Sequence, residues 1–208
     1  MDDCYYWVII VVLLLLINNN RESFIQRKSV CNSTDGRCYK VVSKFPSHVD
    51  ASERLAYVNA FSIQLLRHMR NKYLWNTDNA YYKNITQNLL NRYNPENLME
   101  HAPKGDVNTS YVKNKGDVFA VCLREKQTGK HNLIDKHMLE FVILHELSHL
   151  ASNGFGHGHE FWINFKILLI EAQKIKLHQP RDYAVRPATY CSLYLNYNPY
   201  FDDKIPLP

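Results

Sequence analysis

The strongest constraint on this chain comes from His145-Glu146-Leu147-Ser148-His149, which lies inside a long apolar segment. From Asn132 to Leu150 there is no Gly or Pro, and apolar residues recur at steps of three and four, which predicts a helix buried on most sides. Asn132 or Asp135 could begin this helix, and Asn153-Gly154 is a typical stop signal. The two histidines then lie one turn apart on the same face.

Two imidazoles one helical turn apart can bind the same metal ion, and Glu146 lies beside them. This pattern predicts a catalytic zinc site in which Glu146 acts on a bound water. The same five residues can also arise by chance in a chain with 10 His residues. The apolar helix around the motif and the further ligands downstream favour the zinc interpretation.

A catalytic zinc ion usually has three protein ligands and keeps its fourth position for water. Four residues after the helix could supply the third ligand: His157, His159, Glu160 and Glu171. An arrangement with the third His six residues after His149 is excluded, because that position is Phe155. The residue types alone leave the four alternatives open.

The motif and the segment after it resemble a known family. The sequence His145-Glu146-x-x-His149, followed by His157-Gly158-His159-Glu160-Phe161-Trp162, is similar to the signature of the WLM and SprT-like zinc metallopeptidases. The similarity is strongest to compact, membrane-tethered relatives from large DNA viruses, and it extends from about Ser52 to Asn198. The gap between His149 and His157 is closer to the SprT-like pattern.

The resemblance implies a zincin-like metallopeptidase domain that binds Zn²⁺ through His145, His149 and His157. It also implies that Glu146 is the general base and that Phe161 is a core residue of the next helix. A protein or peptide would be the substrate. Glu146 would accept a proton from the attacking water and deliver it to the departing amine.

Two features of the sequence concern how a substrate would be held. Tyr190 or Tyr194 could donate a hydrogen bond to the oxyanion, although packing is the commoner role in a chain with 14 Tyr. Residues 118–123 are predicted to form a buried strand, after a turn at 114–116 and a short strand at 110–112. An edge strand beside the cleft could pair with an extended peptide, unless the protein's own chain covers that edge.

The predicted fold class is α+β, dominated by helices, with a small antiparallel sheet next to the active-site helix. Helices are expected from Ser52 onward, at 79–93, at the metal motif and at 160–177. The expected organisation is an N-terminal hydrophobic membrane anchor at 1–20, a linker at 21–50, the metallopeptidase domain at 51–200 and a tail at 201–208.

The N-terminal anchor is predicted from the apolar run Tyr5–Ile17 inside an uncharged stretch, residues 4–20. Thirteen residues cover only about 20 Å of a hydrocarbon core about 30 Å thick, so Asn18 to Asn20 would lie in the interface. A cleaved signal peptide is the alternative. It is disfavoured because Asp2 and Asp3 precede the run and no small-residue cleavage site follows it.

The orientation of such an anchor depends on charges, sequons and cysteines. Arg21, Arg27 and Lys28 follow the apolar run and no Lys or Arg precedes it, which favours a cytosolic catalytic domain at a host-cell or virion membrane. Three N-x-Ser/Thr sequences and the close pair Cys31 and Cys38 favour the opposite side. Because the chain has five Cys residues, a complete set of disulfides is not predicted.

The net charge of +5 is spread along the chain, and no DNA-reading module is recognisable, so nucleic-acid binding is not predicted. These features are compatible with three functions. The preferred one is a membrane-anchored zinc metallopeptidase. The alternatives are a repair protease for DNA-crosslinked proteins, suggested by the wider family, and a non-catalytic membrane or virion protein that keeps the zinc fold.

Overall fold

The structure is a computed structural model that describes residues 26–101, 109–125 and 132–208. Within these ranges the chain forms four α-helices: α1 (His48–Met69), α2 (Ala80–Arg92), α3 (Lys136–Ala151) and α4 (His159–Lys174). A π-helical turn at Arg70–Leu74 extends α1. Short 3₁₀ turns occupy Pro95–Asn97, Asn114–Gly116 and Pro199–Phe201.

Five strands form a mixed sheet: β1 (Arg27–Cys31), β2 (Cys38–Val42), β3 (Leu98–Glu100), β4 (Tyr111–Lys113) and β5 (Val118–Val121). Their order across the sheet is β1-β2-β3-β5-β4. The β1–β2 and β4–β5 pairs are antiparallel, whereas β2–β3 and β3–β5 are parallel. A separate antiparallel hairpin consists of β6 (Ala188–Tyr190) and β7 (Leu193–Leu195).

This architecture corrects the predicted fold class. The prediction of a helix-dominated fold with only a small antiparallel sheet is wrong, because the sheet has five strands and contains two parallel pairings. Two of its strands, β1 and β2, come from residues 21–50, where the sequence predicts a linker. The parallel neighbours β2 and β3 are separated by two helices, and β3 and β5 are separated by β4, so no tight turn in the sequence indicates either pairing.

The helices pack on the sheet and on one another around one apolar core. Helix α1 contacts β2, β3 and α3, while α3 also contacts α2 and α4. Buried side chains such as Leu55, Phe119 and Leu144 belong to the same cluster. The metal motif is therefore on a helix that other elements surround on most sides.

A buried ion pair fixes the centre of the sheet. The Glu100 carboxylate at the end of β3 accepts a hydrogen bond from Arg124 Nε at 2.7 Å, and both side chains are almost fully buried. Its second oxygen accepts a bond from the Val42 backbone N–H at 2.7 Å. Glu100 thus joins β2, β3 and the segment after β5.

Four cysteines form two disulfides, Cys31–Cys38 and Cys122–Cys191. The first closes the β1–β2 hairpin, and the second joins the end of β5 to the turn between β6 and β7. The fifth cysteine, Cys4, lies outside the described residues.

The predicted membrane anchor, residues 1–20, also lies outside the described residues. Across 26–101, 109–125 and 132–208, none of the helices combines the length and the apolar character that crossing a membrane requires.

Candidate metal centre

The local sequence determines where the metal-motif helix begins. Asp135, one of the two residues predicted to begin the helix, is its N-cap. Its carboxylate accepts hydrogen bonds from the backbone N–H groups of His137 and Met138 at 3.0 and 3.3 Å. The following sixteen residues are largely apolar, and ten of them are buried. The helix is therefore held firmly while His145 and His149 emerge from one side of it.

Three histidines converge beside this helix. One ligand atom from each of His145, His149 and His157 lies within 4.8 Å of the others. The Nε2 atoms of His145 and His157 are 3.1 Å apart. Two nitrogens at tetrahedral positions about 2.05 Å from a zinc ion would be roughly 3.3 Å apart. The spacing of these imidazoles is therefore that of ligands around one small cation.

The other three candidate ligands have different surroundings. His159 is exposed at the start of α4 and does not belong to the cluster. Glu160 accepts hydrogen bonds from the backbone N–H groups of Asn153 and Gly154 at 2.9 and 3.0 Å. Glu171 is bound by His68, Lys72 and Lys174 at 2.7 to 2.8 Å. Among the described candidates, only His157 joins the two motif histidines.

Desolvation favours the uncharged form of the three imidazoles, which is the form that binds metals, although His157 is more exposed than the other two. Desolvation, followed by the charges of the neighbouring histidines, holds the pKa of His145 well below its usual value. Desolvation lowers the pKa of His149 to about 4, and it also lowers the pKa of His157. At neutral pH all three rings are uncharged and present a nitrogen lone pair.

Glu146 is almost fully buried next to these rings. Burial raises the pKa of its carboxyl to about 8, although the backbone N–H of Val112 in β4 donates a hydrogen bond that lowers it. Its Oε2 atom is buried and has no hydrogen-bond partner among the residues that the structure describes. A buried polar atom without a partner is costly, so its retention points to a role with a bound molecule.

Two basic side chains, Arg92 and Lys115, fix the start of the loop that brings His157 to the helix. Arg92 Nη1 donates to the carbonyls of Leu150 and Ser152 at 2.8 and 2.7 Å, and Lys115 Nζ donates to the Ser152 carbonyl at 2.8 Å. Both groups satisfy carbonyls that the end of a helix leaves free. Gly156 has a φ of 72°, a conformation that favours glycine.

The Phe161 ring packs against all three ligand rings. It is 1% exposed, and its ring centroid lies 4.8, 4.5 and 4.6 Å from those of His145, His149 and His157. The sequence predicts a core residue here but not this contact. Lys115 and Arg92 were not identified from the sequence either, because their hydrogen bonds join segments at least 34 residues apart.

The histidines and Glu146 border a cleft of about 350 Å³. It is lined by residues from the β4 region, from α3, from the loop between α3 and α4 and from the β6–β7 hairpin: Thr109, Ser110, Tyr111, Val112, Phe141, Val142, His145, Glu146, His149, His157, Tyr190, Leu193 and Leu195. A smaller recess next to His149 is formed with Lys115 and Phe155. The two spaces share Val112 and His149 in their linings.

Neither predicted oxyanion donor is free at the cleft. Tyr190 lines it, but its hydroxyl donates to the Cys122 carbonyl at 2.7 Å and lies 2.6 Å from Ser110 Oγ. Tyr194 is 61% exposed and is not part of the lining. Tyr190 therefore positions the hairpin rather than offering a donor.

The residues present fit a zinc ion. Three neutral imidazoles are typical ligands of catalytic zinc, and the adjacent carboxylate oxygen without a partner is suited to bind a water or substrate proton. The cluster includes no fourth His, Cys, Asp or Glu within the described residues. The donor set thus leaves room for a further ligand.

Comparison with known proteins gives two viral relatives. The uncharacterized protein R325 of Acanthamoeba polyphaga mimivirus is 33% identical over 115 residues, which cover 55% of this chain and 57% of that protein. The uncharacterized protein 136R of Invertebrate iridescent virus 6 is 32% identical over 90 residues, which cover 43% of this chain and 50% of that protein. The matches thus span about half the length of each relative.

No protein-family profile matches the chain, and no solved structure matches it. The resemblance to WLM and SprT-like peptidases therefore stays a prediction from the motif residues.

Proposed function

We propose that this protein is a zinc-dependent metallopeptidase. The observation that supports the proposal most directly is the convergence of three imidazoles beside a buried carboxylate oxygen that no described residue hydrogen-bonds. The similarity to two viral proteins favours a viral setting for this activity.

His145, His149 and His157 would hold the zinc ion. When bound, zinc supplies a Lewis acid that polarises a carbonyl and lowers the pKa of water to about 7. Glu146 would take the proton of the attacking water and transfer it to the leaving amine. The charge of the cation would also lower the raised pKa of Glu146, so that the carboxylate can act as a base near neutral pH.

The substrate would bind as an extended strand along β4. This strand is at one edge of the sheet, and no described strand pairs with its outer side. The Val112 N–H points to Glu146, and in an antiparallel pair the carbonyl of the same residue points the same way. A peptide held there would have its backbone beside Glu146.

Metal binding and activity provide the direct test. The full-length chain is expected to bind about one zinc ion and to hydrolyse casein, and a chelator should abolish hydrolysis until zinc is restored. Replacing His157 with Ala should lower zinc affinity by at least about tenfold and remove most activity, because one ligand is lost. Elemental analysis and initial rates measure both effects.

His159→Ala is the matched control, because His159 is an exposed histidine only two residues away and is outside the cluster. It should keep wild-type zinc content and activity. If His159→Ala lost zinc and His157→Ala did not, the ligand assignment would be wrong. A metal-free wild-type protein that gains no zinc on titration would refute the proposed function.

The disulfides also bear on the compartment. The charge pattern after the apolar N-terminus predicts a cytosolic catalytic domain, but Cys31–Cys38 and Cys122–Cys191 are typical of oxidising compartments. We infer that the domain matures outside the reducing cytosol.

The thiol count tests this inference. The chain has five cysteines and four of them are in disulfides, so only Cys4 is expected to react. Protein purified from an oxidising compartment and denatured without reductant should give about one thiol per chain with a chromogenic disulfide reagent, and about five after reduction. A count near five before reduction would contradict the disulfide assignment.

A further inference from the structure

One side of the cleft is apolar and begins one helical turn from the proposed catalytic residues. Phe141 and Val142 precede His145 and Glu146 by four residues on α3, so they lie on the same faces about 5.4 Å along the axis. Both side chains are largely buried. A substrate side chain next to the scissile bond would reach this surface.

The opposite wall is the β6–β7 hairpin. Leu193 and Leu195 line the cleft, and Tyr194 between them points to the other face of the strand, as the alternation of a strand requires. Apart from Glu146 and the three histidines, no ionisable Asp, Glu, Lys, Arg or His is among the described lining residues. A charged substrate side chain would therefore lose its hydration without gaining a partner.

The hairpin wall is held rigidly. Its turn consists of Cys191 and Ser192, both with positive φ, and Cys191 is bonded to Cys122 at the end of β5. The Tyr190 hydroxyl is bonded to the Cys122 carbonyl and to Ser110. A wall fixed at its turn and in β6 can select side chains by size and polarity.

The direction of β4 relates this pocket to one side of the scissile bond. Val112 borders both spaces, but the apolar cleft continues toward residues 109–111, whereas the recess continues toward Asn114 and Lys115 after β4. A peptide paired antiparallel to β4, the more stable pairing, would run from the recess toward the cleft. Its residue after the scissile bond would then enter the apolar pocket.

We infer that the enzyme cleaves before a bulky apolar residue, Leu, Met or Phe, and that Leu193 and Leu195 of the β6–β7 hairpin determine this preference. The inference rests on the proposed peptidase function. Filling such a pocket with Leu rather than Ala or Asp should change kcat/KM about 10- to 100-fold.

Cleavage-site profiling of a synthetic peptide library by mass spectrometry, with the full-length zinc-loaded protein, tests the inference. The informative variant is Leu193→Asp, because Leu193 is half-exposed and tolerates a polar side chain. It should lose the preference for Leu, Met and Phe about tenfold or more and gain cleavage before Lys and Arg. Tyr194→Asp is the matched control: it adds the same charge at the adjacent residue of β7, on the other face, and should keep the wild-type profile.

The outcomes separate the two proposals. A wild-type protein that cleaves without an apolar preference after the scissile bond, or a Leu193→Asp profile equal to that of wild type, overturns the specificity assignment alone. A zinc-loaded wild-type protein that cleaves no peptide overturns the proposed function and the specificity with it. Calorimetric titration with peptide hydroxamates that carry Leu or Ala adds a second readout, and equal affinities would also overturn the pocket assignment.

Discussion

Replacing Glu146 with Gln is expected to lower the rate of peptide hydrolysis by about 10²- to 10⁴-fold while zinc content stays near one ion per chain. Gln has nearly the same shape and can still accept the hydrogen bond from the Val112 N–H, but it cannot take a proton from water. Glu146 does not belong to the ligand cluster, so metal binding should not change. Initial rates on casein and elemental analysis of the same preparations measure both quantities.

Glu53→Gln provides the control, because Glu53 is an exposed carboxylate on α1 and makes the same change of charge. It should leave both rate and zinc content unchanged. A Glu146→Gln protein that binds zinc and hydrolyses casein at the wild-type rate would exclude Glu146 as the general base. If the wild-type protein itself bound zinc but hydrolysed no casein, this result would instead support a non-catalytic protein that keeps the metal centre.

The metal-motif helix could be predicted because its determinants are local. Asp135 caps the helix directly, apolar residues follow at helical steps, and the four-residue spacing of His145 and His149 places both rings on one side. His157 follows after a loop of only a few residues, so it cannot be far from the helix end. These short-range relations explain why the three histidines meet in the structure.

Strands β4 and β5 lie close to the strands predicted at 110–112 and 118–123, but the rest of the sheet could not be predicted, because its determinants are distant along the chain. Strand β3 has three residues, too few to show a period of two. Lys40 pairs with Met99 and Leu98 with Phe119, and such parallel pairings have no turn signal between them. Strand β1 contains Arg27, Lys28 and Ser29, which resemble a polar linker in isolation.

The residues that hold the site in place could not be predicted from the sequence either. Lys115 has a positive φ of 57° in the turn after β4, and from there its amino group reaches the carbonyl of Ser152, 37 residues later. A lysine in a turn is ordinarily interpreted as a solvated side chain. The cleft wall likewise depends on a disulfide between residues 69 positions apart, for which cysteine spacing gives no indication.

Loss of the Cys122–Cys191 disulfide is expected to lower the free energy of unfolding by about 4 kcal/mol. The crosslink closes a loop with a sequence separation of 69, and without it the unfolded chain gains the corresponding conformational entropy. Both cysteines are buried, so a double replacement by Ala avoids placing unpaired hydroxyls in the core. Urea denaturation without reductant, followed by circular dichroism, measures the change.

The Cys31–Cys38 pair is the matched control, since its sequence separation is only 7 and the same double replacement by Ala should cost about 2.5 kcal/mol. The difference between the two variants reports the effect of loop length. Only loss of Cys122–Cys191 should also weaken binding of Leu-bearing peptide hydroxamates, because only that bond fixes the hairpin carrying Leu193 and Leu195. Equal losses of stability in the two variants would contradict the dependence on loop length. Unchanged hydroxamate affinity after loss of Cys122–Cys191 would show that the hairpin holds its position against the cleft without the crosslink.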